Sequence, residues 1–370
     1  MKKILVFGAS GQLGGTESYL LTLYQSLDKE RIQFDFLVPH NINKIPYEQR
    51  IIENGGRIFR EYYTNSERKK EGYLSARDII ERHIDIDGIY VNVQCIHSAY
   101  RLLVEAYRHK IRYRIWHIHN NNYARKPTLR ERLYEIFFYA TYKMIVTHCL
   151  ACSELAGKWI YHNHPFKIIP DAIDFDKFKP NSVIRKLIRK KYCIENKYVI
   201  GFCGRISYQK NPEFLIEIFY ELQKLERKTC LLIIGEGNKR KALEDMVKEK
   251  HITDKVLFIG EVPNVQDYMQ AMDFFLLPSR YEGFGIVLLE AQAAGLNCMT
   301  SQDVVPKETN ITGRVHFTSL NSSPEFWAKE ILSIGFERKN CIEELRKSEY
   351  SIENLVKEME RIFEIKKETY

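Results

Sequence analysis

The sequence of 370 residues contains no long hydrophobic run. Its most apolar stretch, residues 134–152 (YEIFFYATYKMIVTHCLAC), is interrupted by Lys143 and by polar side chains. It falls short of the roughly 20 apolar residues that a membrane-spanning helix needs. The apolar positions that follow Met1 are also too few for the core of a signal peptide. We therefore expect a cytoplasmic protein.

The sequence also lacks a disulfide framework, tandem repeats and low-complexity tracts. Its eight cysteines are scattered apart from Cys149 and Cys152. This pair falls between an apolar run and the start of a helical pattern, which favours a structural role over redox chemistry. No motif typical of nucleic-acid readers is present. The composition, 45% hydrophobic and 28% charged, is typical of globular proteins, and the length suits two domains with a cleft.

The net charge of +8 is concentrated in residues 101–143, which hold ten Lys or Arg against three Glu. Apolar residues recur at helical spacing in the second half of this segment, at Leu129, Leu133, Ile136 or Phe137, and Ala140. A basic amphipathic helix of this kind suits an anionic bilayer. A solvated helix face packed on its own domain is the other interpretation, and both remain open.

Short apolar runs alternate with helical patterns along the whole chain. The runs KILVFG, FDFLV, GIYVNV and RIWHIH lie in the first half, and the pattern restarts with YVIGFC, CLLIIG, KVLFIG and DFFLL. This predicts an α/β fold of two Rossmann-like, doubly wound parallel sheets. We place the domains at residues 1–175 and 176–350, followed by a C-terminal helix at 351–370 that packs back towards the N-terminal domain. Ligands bind such sheets beyond the carboxyl ends of the strands.

The first loop of this kind, residues 8–14 (GASGQLG), has the glycine spacing of a dinucleotide-binding turn. An NAD(P)-dependent epimerase or reductase of the short-chain type would also need a Tyr-x-x-x-Lys pair. Two such pairs begin at Tyr139 and Tyr220, but about two are expected by chance among 23 Tyr. Asp35, the acidic candidate for the ribose, lies inside the second strand instead of at its end. The turn is better interpreted as a loop that attracts a phosphate of some kind.

The most specific signal is the stretch RYEGFGIVLLEAQ at residues 280–292. Glu282 precedes a turn flanked by Gly283 and Gly285, and Glu290 falls about one and a half turns into the helix that follows. Amides at the start of that helix suit a diphosphate, and Glu290 suits the two ribose hydroxyls. Glu282 then faces the sugar or the leaving group. This arrangement suits a nucleotide diphosphate sugar.

With this Glu-x7-Glu motif the sequence resembles the retaining glycosyltransferases of glycosyltransferase family 4, which have the GT-B fold. Residues 14–17 (GGTE) resemble the Gly-Gly-x-Glu loop of that family, and residues 204–212 (GRISYQKNP) resemble its Gly-Arg…Lys-Asn element. Residues 168–180 (IIPDAIDFDKFKP) resemble its inter-domain segment, with Asp171-Ala172 where the family has Asn-Gly. Residues 290–303 resemble its exopolysaccharide and capsule branch.

The resemblance implies that the N-terminal domain binds the acceptor and the C-terminal domain binds the nucleotide sugar. It implies catalytic roles for His119, at a late strand end of the first domain, and for Glu282. The residues that it implies for donor binding are Gly14, Gly15, Arg205, Lys210, Gly237, Val262, Gly283, Phe284, Gly285, Ile286, Val287 and Glu290. Arg205 and Lys210 would neutralise the leaving diphosphate, so neither a metal nor another cofactor is expected.

The implied function is retaining transfer of a hexose or N-acetylhexosamine from a UDP-sugar to a lipid-linked oligosaccharide in capsule or exopolysaccharide synthesis. The enzyme would act at the inner face of the cell membrane. The acceptor hydroxyl would enter on the face from which the diphosphate departs, and no covalent nucleophile is expected. The nicotinamide-dependent epimerase and a nucleotide-sugar-binding protein without activity remain as alternatives.

A metal-dependent transferase is a third alternative. It would use an Asp-x-Asp motif, which begins at Asp85 and at Asp174, but neither motif lies at the carboxyl end of an apolar strand. His117 and His119 have the spacing of a zinc pair. Alternation along the strand is expected to turn them to opposite faces, and no thiolate or carboxylate cluster completes the site. We expect a packed or hydrogen-bonded role for His117.

Overall fold

The computed structural model describes residues 1–11, 14–39, 41–61, 75–82, 85–93, 95–122 and 128–364. The chain forms two compact units, Met1–Ala172 with Ile352–Tyr370, and Ile173–Ser351. Each unit is built on one parallel sheet. The predicted α/β class with two parallel sheets is confirmed.

The first unit contains a seven-stranded sheet. Its strands are β1 (Lys2–Phe7), β2 (Ile32–Pro39), β3 (Ile58–Glu61), β4 (Gly88–Val91), β5 (Tyr113–Ile118), β6 (His148–Ala151) and β7 (Lys167–Ile168). They pair in parallel in the order β3-β2-β1-β4-β5-β6-β7. The central strands are buried along almost their whole length, as expected for a parallel sheet covered on both faces. The strand order reverses between β1 and β4, so ligands are expected at the carboxyl ends of these two strands.

Helices connect the strands of the first unit. They are α1 (Gly15–Ser26), α2 (Glu48–Glu53), α3 (Ala76–Arg82), α4 (Ile96–Arg108), α5 (Leu129–Ile145) and α6 (Glu154–Tyr161). The inward side of α1 is apolar because Tyr19, Leu20 and Leu23 recur at helical spacing and are buried. Across the described parts of the chain, no helix combines the length and the apolar character needed to cross a bilayer.

The second unit contains a six-stranded parallel sheet. Its strands are β8 (Tyr198–Cys203), β9 (Thr229–Ile234), β10 (Val256–Gly260), β11 (Phe274–Leu277), β12 (Asn297–Ser301) and β13 (Val315–Thr318). Its helices are α7 (Phe175–Phe178), α8 (Ser182–Lys191), α9 (Pro212–Leu225), α10 (Arg240–Glu249), α11 (Val265–Ala271), α12 (Ile286–Ala293), α13 (Pro324–Ile334) and α14 (Ile342–Arg346). The strand order is β10-β9-β8-β11-β12-β13, and it reverses between β8 and β11.

A buried carboxylate fastens α8 to the sheet of the second unit. Asp273, just before β11, accepts a hydrogen bond from the backbone of Val199 over 2.8 Å and from Arg189 over 2.9 Å. Arg185, also on α8, forms a second ion pair with it. Because the charge of Asp273 is paired and hydrogen-bonded, its burial is tolerated.

The C-terminal helix α15 (Ile352–Ile362) belongs to the first unit. Its buried side chains Leu355 and Met359 join the same apolar cluster as Leu23 of α1. Just beyond the helix, the carbonyl oxygen of Phe363 accepts a hydrogen bond from the hydroxyl of Tyr113 over 3.1 Å. The final helix therefore completes the core of the unit in which the chain begins.

Candidate functional site

Residues that follow β8 and β11 come together where the strand order of the second unit reverses. Lys210 ends a short 3₁₀ turn after β8, and Glu282 lies in the loop after β11. Lys210 Nζ donates to Glu282 Oε1 over 2.6 Å, and Ser279 Oγ donates to the same oxygen over 2.6 Å. Glu282 and Ser279 are buried. Two donors therefore hold this carboxylate in one position.

Lys210 also interacts with the second glutamate of the motif. Removal from water raises the pKa of Glu290 to about 8, and the positive charge of Lys210 acts in the opposite direction. Burial raises the pKa of the Cys203 thiol at the end of β8, with the charge of Glu290 adding to the rise and that of Lys210 opposing it. One cation is thus linked to both Glu282 and Glu290.

The turn between the two glutamates ends at the start of α12. Gly285 precedes the helix with φ at +85°, in the left-handed region that favours glycine, and it provides no side-chain cap. The Phe284 side chain is buried and stacks on Tyr350 with ring centres 4.9 Å apart. A ligand would therefore meet backbone at this turn. The first amides of α12, at Ile286 and Val287, point along the positive end of the helix dipole and suit an anion.

The loops after β8 and β9 are packed closely through glycines. A Cβ added at Gly235 would lie 2.1 Å from the Gly204 oxygen, and one added at Gly237 would lie 2.2 Å from the Ile206 oxygen. Arg205 lies between these contacts, and its side chain is exposed. Close packing thus fixes the backbone on both sides of Arg205 and leaves its guanidinium open to a ligand.

Arg280 is a further cation at this edge that sequence reasoning missed. Its guanidinium carbon lies 4.6 Å from the ring centre of Tyr208, and its backbone N–H donates to the Gln209 oxygen over 2.8 Å. Its Nε is buried with no hydrogen-bond partner among the described residues. The sequence feature that could have identified Arg280 is its position as the first residue of the RYEGFG motif. Val262 lies in the loop after β10, and no described contact joins it to Lys210 or to Glu282.

Gly14 and Gly15 of the first unit stand at the start of α1. Gly14 is the residue before the helix and offers no side-chain cap. Glu17 in the first turn is buried, and its Oε1 accepts a hydrogen bond from the Ser10 amide over 3.1 Å. Residues 12 and 13 of the same turn lie outside the described residues. As predicted, the turn leads into a helix.

His119 follows β5, and its ring is held on both sides. The Asp171 carboxylate accepts from Nδ1 over 2.8 Å, and Nε2 lies 2.9 Å from Asn92 Oδ1. The side chains of His119 and Asp171 are only 2% and 6% exposed, so the ring is fixed in place. Asn92 follows β4 and packs closely on Gly8. A Cβ added at Gly8 would lie 2.6 Å from the backbone oxygen of Asn92. Sequence reasoning missed Asp171 and Asn92 because they are distant from His119 along the chain.

The prediction that His117 and His119 point to opposite faces is wrong. Residues two apart on a strand share a face, and the two ring centres lie 4.0 Å apart. His117 is fully buried, with Nδ1 2.7 Å from the Tyr90 hydroxyl and Nε2 3.1 Å from the Ile169 oxygen. Burial lowers its pKa well below the usual range, so the ring is neutral. His117 is therefore packed and hydrogen-bonded.

The prediction that no thiolate or carboxylate cluster completes a site with these histidines is also wrong. Cys152 and Asp171 lie beside His119, with potential ligand atoms of the three residues within 4.8 Å of one another. Ligands of one tetrahedral zinc ion lie about 3.3 to 3.8 Å apart. His119 Nδ1 and Asp171 Oδ1 lie 2.8 Å apart, so their hydrogen bond would have to break for these two atoms to hold zinc.

Both Asp-x-Asp pairs have structural partners. The Asp87 carboxylate accepts from the Lys3 amide over 2.8 Å, and Asp85 forms an ion pair with the Lys3 side chain. These contacts lie at the amino end of β1, opposite the edge where ligands bind. Asp174 caps α7 by accepting from the Asp176 amide over 3.2 Å. Neither pair lies at the edge that carries Lys210.

The residues of the dinucleotide alternative also have other partners. Asp35 is buried inside β2 and forms an ion pair with Arg57 over 2.6 Å. The Tyr139 hydroxyl donates to the Ile160 oxygen over 2.8 Å. Neither group is placed to bind a ribose or to transfer a proton.

Comparison with known proteins agrees with this geometry. Residues 184–348 match the family described as Glycosyl transferases group 1. The chain is 27% identical over 339 residues to a Bacillus subtilis (strain 168) protein assigned as glycosyltransferase EpsF. The aligned residues cover 89% of this chain and 87% of EpsF. It is 30% identical over 158 residues to the UDP-Gal:alpha-D-GlcNAc-diphosphoundecaprenol alpha-1,3-galactosyltransferase of Escherichia coli. These residues make up 40% of each of the two chains. The predicted enzyme class is confirmed: the chain is a glycosyltransferase with a group 1 domain.

Solved structures share the fold. Anabaena HepE, solved in complex with UDP and glucose, superposes with a TM-score of 0.79 at 15% identity, covering 99% of this chain and 100% of HepE. WaaG, a glycosyltransferase involved in lipopolysaccharide biosynthesis, superposes with a TM-score of 0.65 at 18% identity, covering 96% and 94% of the two chains. These likenesses concern the fold alone, and the predicted GT-B fold is confirmed.

Proposed function

We propose that this glycosyltransferase moves a hexose or N-acetylhexosamine from a UDP-sugar to a lipid-linked oligosaccharide, with retention at the anomeric carbon and without a metal ion. The product serves the synthesis of a capsule or exopolysaccharide at the cytoplasmic face of the membrane. In this proposal the second unit binds the donor and the first unit binds the acceptor.

The observation that carries the donor assignment is the ion pair between Lys210 and Glu282 over 2.6 Å, in the loop that leads into α12. Breaking the bond between a sugar and a diphosphate places negative charge on the leaving oxygens. Lys210, Arg205 and the amides at the start of α12 supply positive charge for them without a metal. Glu290 has two oxygens that can accept hydrogen bonds from both ribose hydroxyls. A nucleotide diphosphate sugar is the ligand that uses all of these groups.

The proposed reaction is a displacement on one face of the sugar. A bond forms between the acceptor oxygen and the anomeric carbon, while the bond from that carbon to the diphosphate oxygen breaks. The proton of the acceptor hydroxyl passes to the departing diphosphate oxygen. Glu282, held by Ser279 and Lys210 in the free protein, contacts the sugar or the leaving group. His119, fixed by its two hydrogen bonds, contacts the transferred sugar.

The names of relatives support the donor and acceptor classes. The E. coli relative is named for a UDP-linked galactose and for an acceptor on diphosphoundecaprenol, and HepE was solved with UDP. The likeness to EpsF extends over most of both chains, in line with the exopolysaccharide branch that residues 290–303 resemble. A lipid-linked acceptor stays at the bilayer, so contact of the basic segment 101–143 with an anionic membrane surface belongs to the same proposal.

A product assay tests this function. The purified protein is incubated with a panel of UDP-sugars and a polyisoprenyl-diphosphate-linked saccharide in the presence of EDTA, and the product is analysed by mass spectrometry and NMR. We expect one UDP-sugar to be consumed and its anomeric configuration to be kept. The Glu282→Gln variant should fold and bind UDP without turnover, which excludes a mere binding protein. The proposal fails if no UDP-sugar is bound or turned over.

The dinucleotide alternative is separated by ligand stabilisation. A ligand that binds only the folded state raises the melting temperature with its concentration. We expect UDP to stabilise the protein and NAD to leave the melting temperature unchanged. The reverse result would favour the epimerase.

A further inference from the structure

Helix α5 of the first unit is apolar on two opposite faces. Its inner face carries Phe138, Tyr142 and Ile145, which are at most 5% exposed. The Phe138 ring meets Trp116 edge to face, with ring centres 4.9 Å apart. These contacts account for the packing of the helix on its own unit.

The outer face of α5 is also apolar but is open to solvent. Its exposed apolar residues are Leu129 (79% exposed), Leu133 (51%), Ile136 (66%), Phe137 (62%), Ala140 and Met144 (60%). At about 100° per residue these positions fall within an arc of about 100°. Single exposed apolar residues are ordinary, whereas a continuous stripe indicates a contact surface. We call this stripe the α5 apolar face.

Three arginines of segment 101–143 pair with carboxylates, and a fourth donates to backbone oxygens. The ion pairs are Arg101 with Glu61 over 2.7 Å, Arg108 with Glu105 over 2.8 Å, and Arg112 with Glu364. Arg114 donates to the backbone oxygens of Ile111 and Ile145. Exposed Arg132 and Lys143 lie on α5 about 20 to 40° beyond one border of the α5 apolar face.

We propose that the α5 apolar face inserts into the surface of an anionic bilayer. Helices with such a face lie parallel to the membrane and enter it by about 5 to 10 Å. Arg132 and Lys143 can then extend to lipid phosphates from the border of the stripe. Residues 123–143 hold five Lys or Arg against two Glu, which favours anionic lipid. This inference rests on the proposed function in one respect, because a lipid-linked acceptor brings the enzyme to a membrane.

The dimensions and charge of the face argue against a second copy of the chain as its partner. From Leu129 to Met144 the stripe is about 22 Å long and 10 Å wide, or about 220 Å². A stable protein interface buries about 800 Å² on each partner. A two-fold dimer on this narrow stripe would also bring the bordering cations of both copies close together. A bilayer surface has neither limitation.

Vesicle flotation tests the inference on the full chain without donor or acceptor. The probes are vesicles of phosphatidylcholine with phosphatidylglycerol and vesicles of phosphatidylcholine alone. We expect binding to the anionic vesicles and a loss of about tenfold or more in the double variant Ile136→Gln/Phe137→Gln. The matched control is Val183→Gln/Leu187→Gln on α8, which removes side chains that are 64% and 59% exposed. This control should bind vesicles as the unchanged protein does.

Circular dichroism should show both double variants folded, because all four replaced side chains are exposed. Equal vesicle binding by the α5 variant and the α8 control would overturn the inference, as would no binding of the unchanged protein. Loss of a dimer in the α5 variant, seen by light scattering, would assign the face to a second copy instead. Vesicle binding without turnover of any UDP-sugar would refute the proposed function and leave this inference standing.

Discussion

The ammonium group of Lys210 and the carboxylate of Glu282 form an ion pair 2.6 Å long between largely buried side chains. Lys210 follows β8 and Glu282 follows β11, so the pair joins two loops at the reversal of the strand order. In the proposed mechanism the same ammonium group meets the donor diphosphate. Donor binding therefore gives Lys210 a second anionic partner in competition with Glu282.

Replacing Lys210 should impair both binding and turnover of the donor. We expect Lys210→Met to lower kcat/KM for the UDP-sugar by about 10²- to 10³-fold, because it removes a charge that stabilises the leaving diphosphate. The control is Lys250→Met, which breaks a partly buried ion pair with Glu217 in the same unit. Steady-state kinetics should show little change in the control. Equal losses in both variants would indicate a general loss of stability.

Ser279 should act by positioning Glu282. We expect Ser279→Ala to lower kcat by about tenfold with a smaller change in KM, because one hydrogen bond to the carboxylate is lost. Ser301→Ala is the control, since its buried Oγ has no hydrogen-bond partner among the described residues. Kinetics and thermal unfolding are measured for both. The idea fails if Ser279→Ala changes only the melting temperature, or if restoring the hydroxyl with Ser279→Thr rescues nothing.

Glu290 should make donor binding dependent on pH. Its pKa is raised to about 8 in the free protein, whereas accepting two ribose hydroxyls favours the ionised form. Binding then releases a proton below pH 8, so affinity for UDP-glucose should rise with pH, by at most about tenfold per unit, and level off above pH 8. UDP-glucose is the ligand of choice because it has no terminal phosphate that titrates near pH 6. Calorimetry should show a flat profile for Glu290→Gln.

His119 should affect turnover more than nucleotide binding. We expect His119→Ala to lower kcat by about 10- to 100-fold, because a fixed contact to the transferred sugar is lost, and to change UDP affinity less than about twofold. Asp171→Asn should give a smaller loss of the same kind through misorientation of the ring. His148→Ala, at a partly buried histidine of the same unit, is the control. A parallel fall in UDP affinity would contradict the assigned role.

Activity should survive removal of metal ions. The proposed cations and amides neutralise the diphosphate without a divalent metal, so we expect unchanged kcat after dialysis against EDTA. Asp87→Asn and Asp176→Asn should likewise retain activity, because neither carboxylate lies at the edge that carries Lys210. Elemental analysis should find no zinc at His119, Cys152 and Asp171. Activity that returns only on addition of Mg²⁺ or Mn²⁺ would support the metal-dependent alternative.

The fold was predictable because both sheets are parallel and their central strands are buried, which makes those strands short apolar runs. The placement of Glu282 before a turn and of Glu290 on the helix that follows was predictable for a similar reason, since a turn and one helix hold their spacing. The partners that fix the site were not predictable. Ser279 is close to Glu282 in sequence but carries no distinctive pattern, and Asp171 meets His119 only because the sheet brings the ends of distant strands together.

The surface charge of segment 101–143 was overestimated from the sequence for the same physical reason. Glu61 and Glu364, which balance two of its arginines, lie far away along the chain. The error about the histidines differs in kind, because it came from assigning two positions of one strand to opposite faces. Their spacing already specifies a shared face.

The anchoring of α8 by Asp273 determines where the second unit can be separated from the rest of the protein. The family match begins at residue 184, inside α8. A fragment that started at residue 195 would lack Arg185 and Arg189 and would deprive the buried Asp273 carboxylate of both of these ion pairs, at a cost of about 3 to 5 kcal/mol. Cutting before Asn181, which caps α8, keeps these partners. The smallest fragment of the second unit that keeps both ion pairs therefore begins one helix earlier than the first strand of that unit.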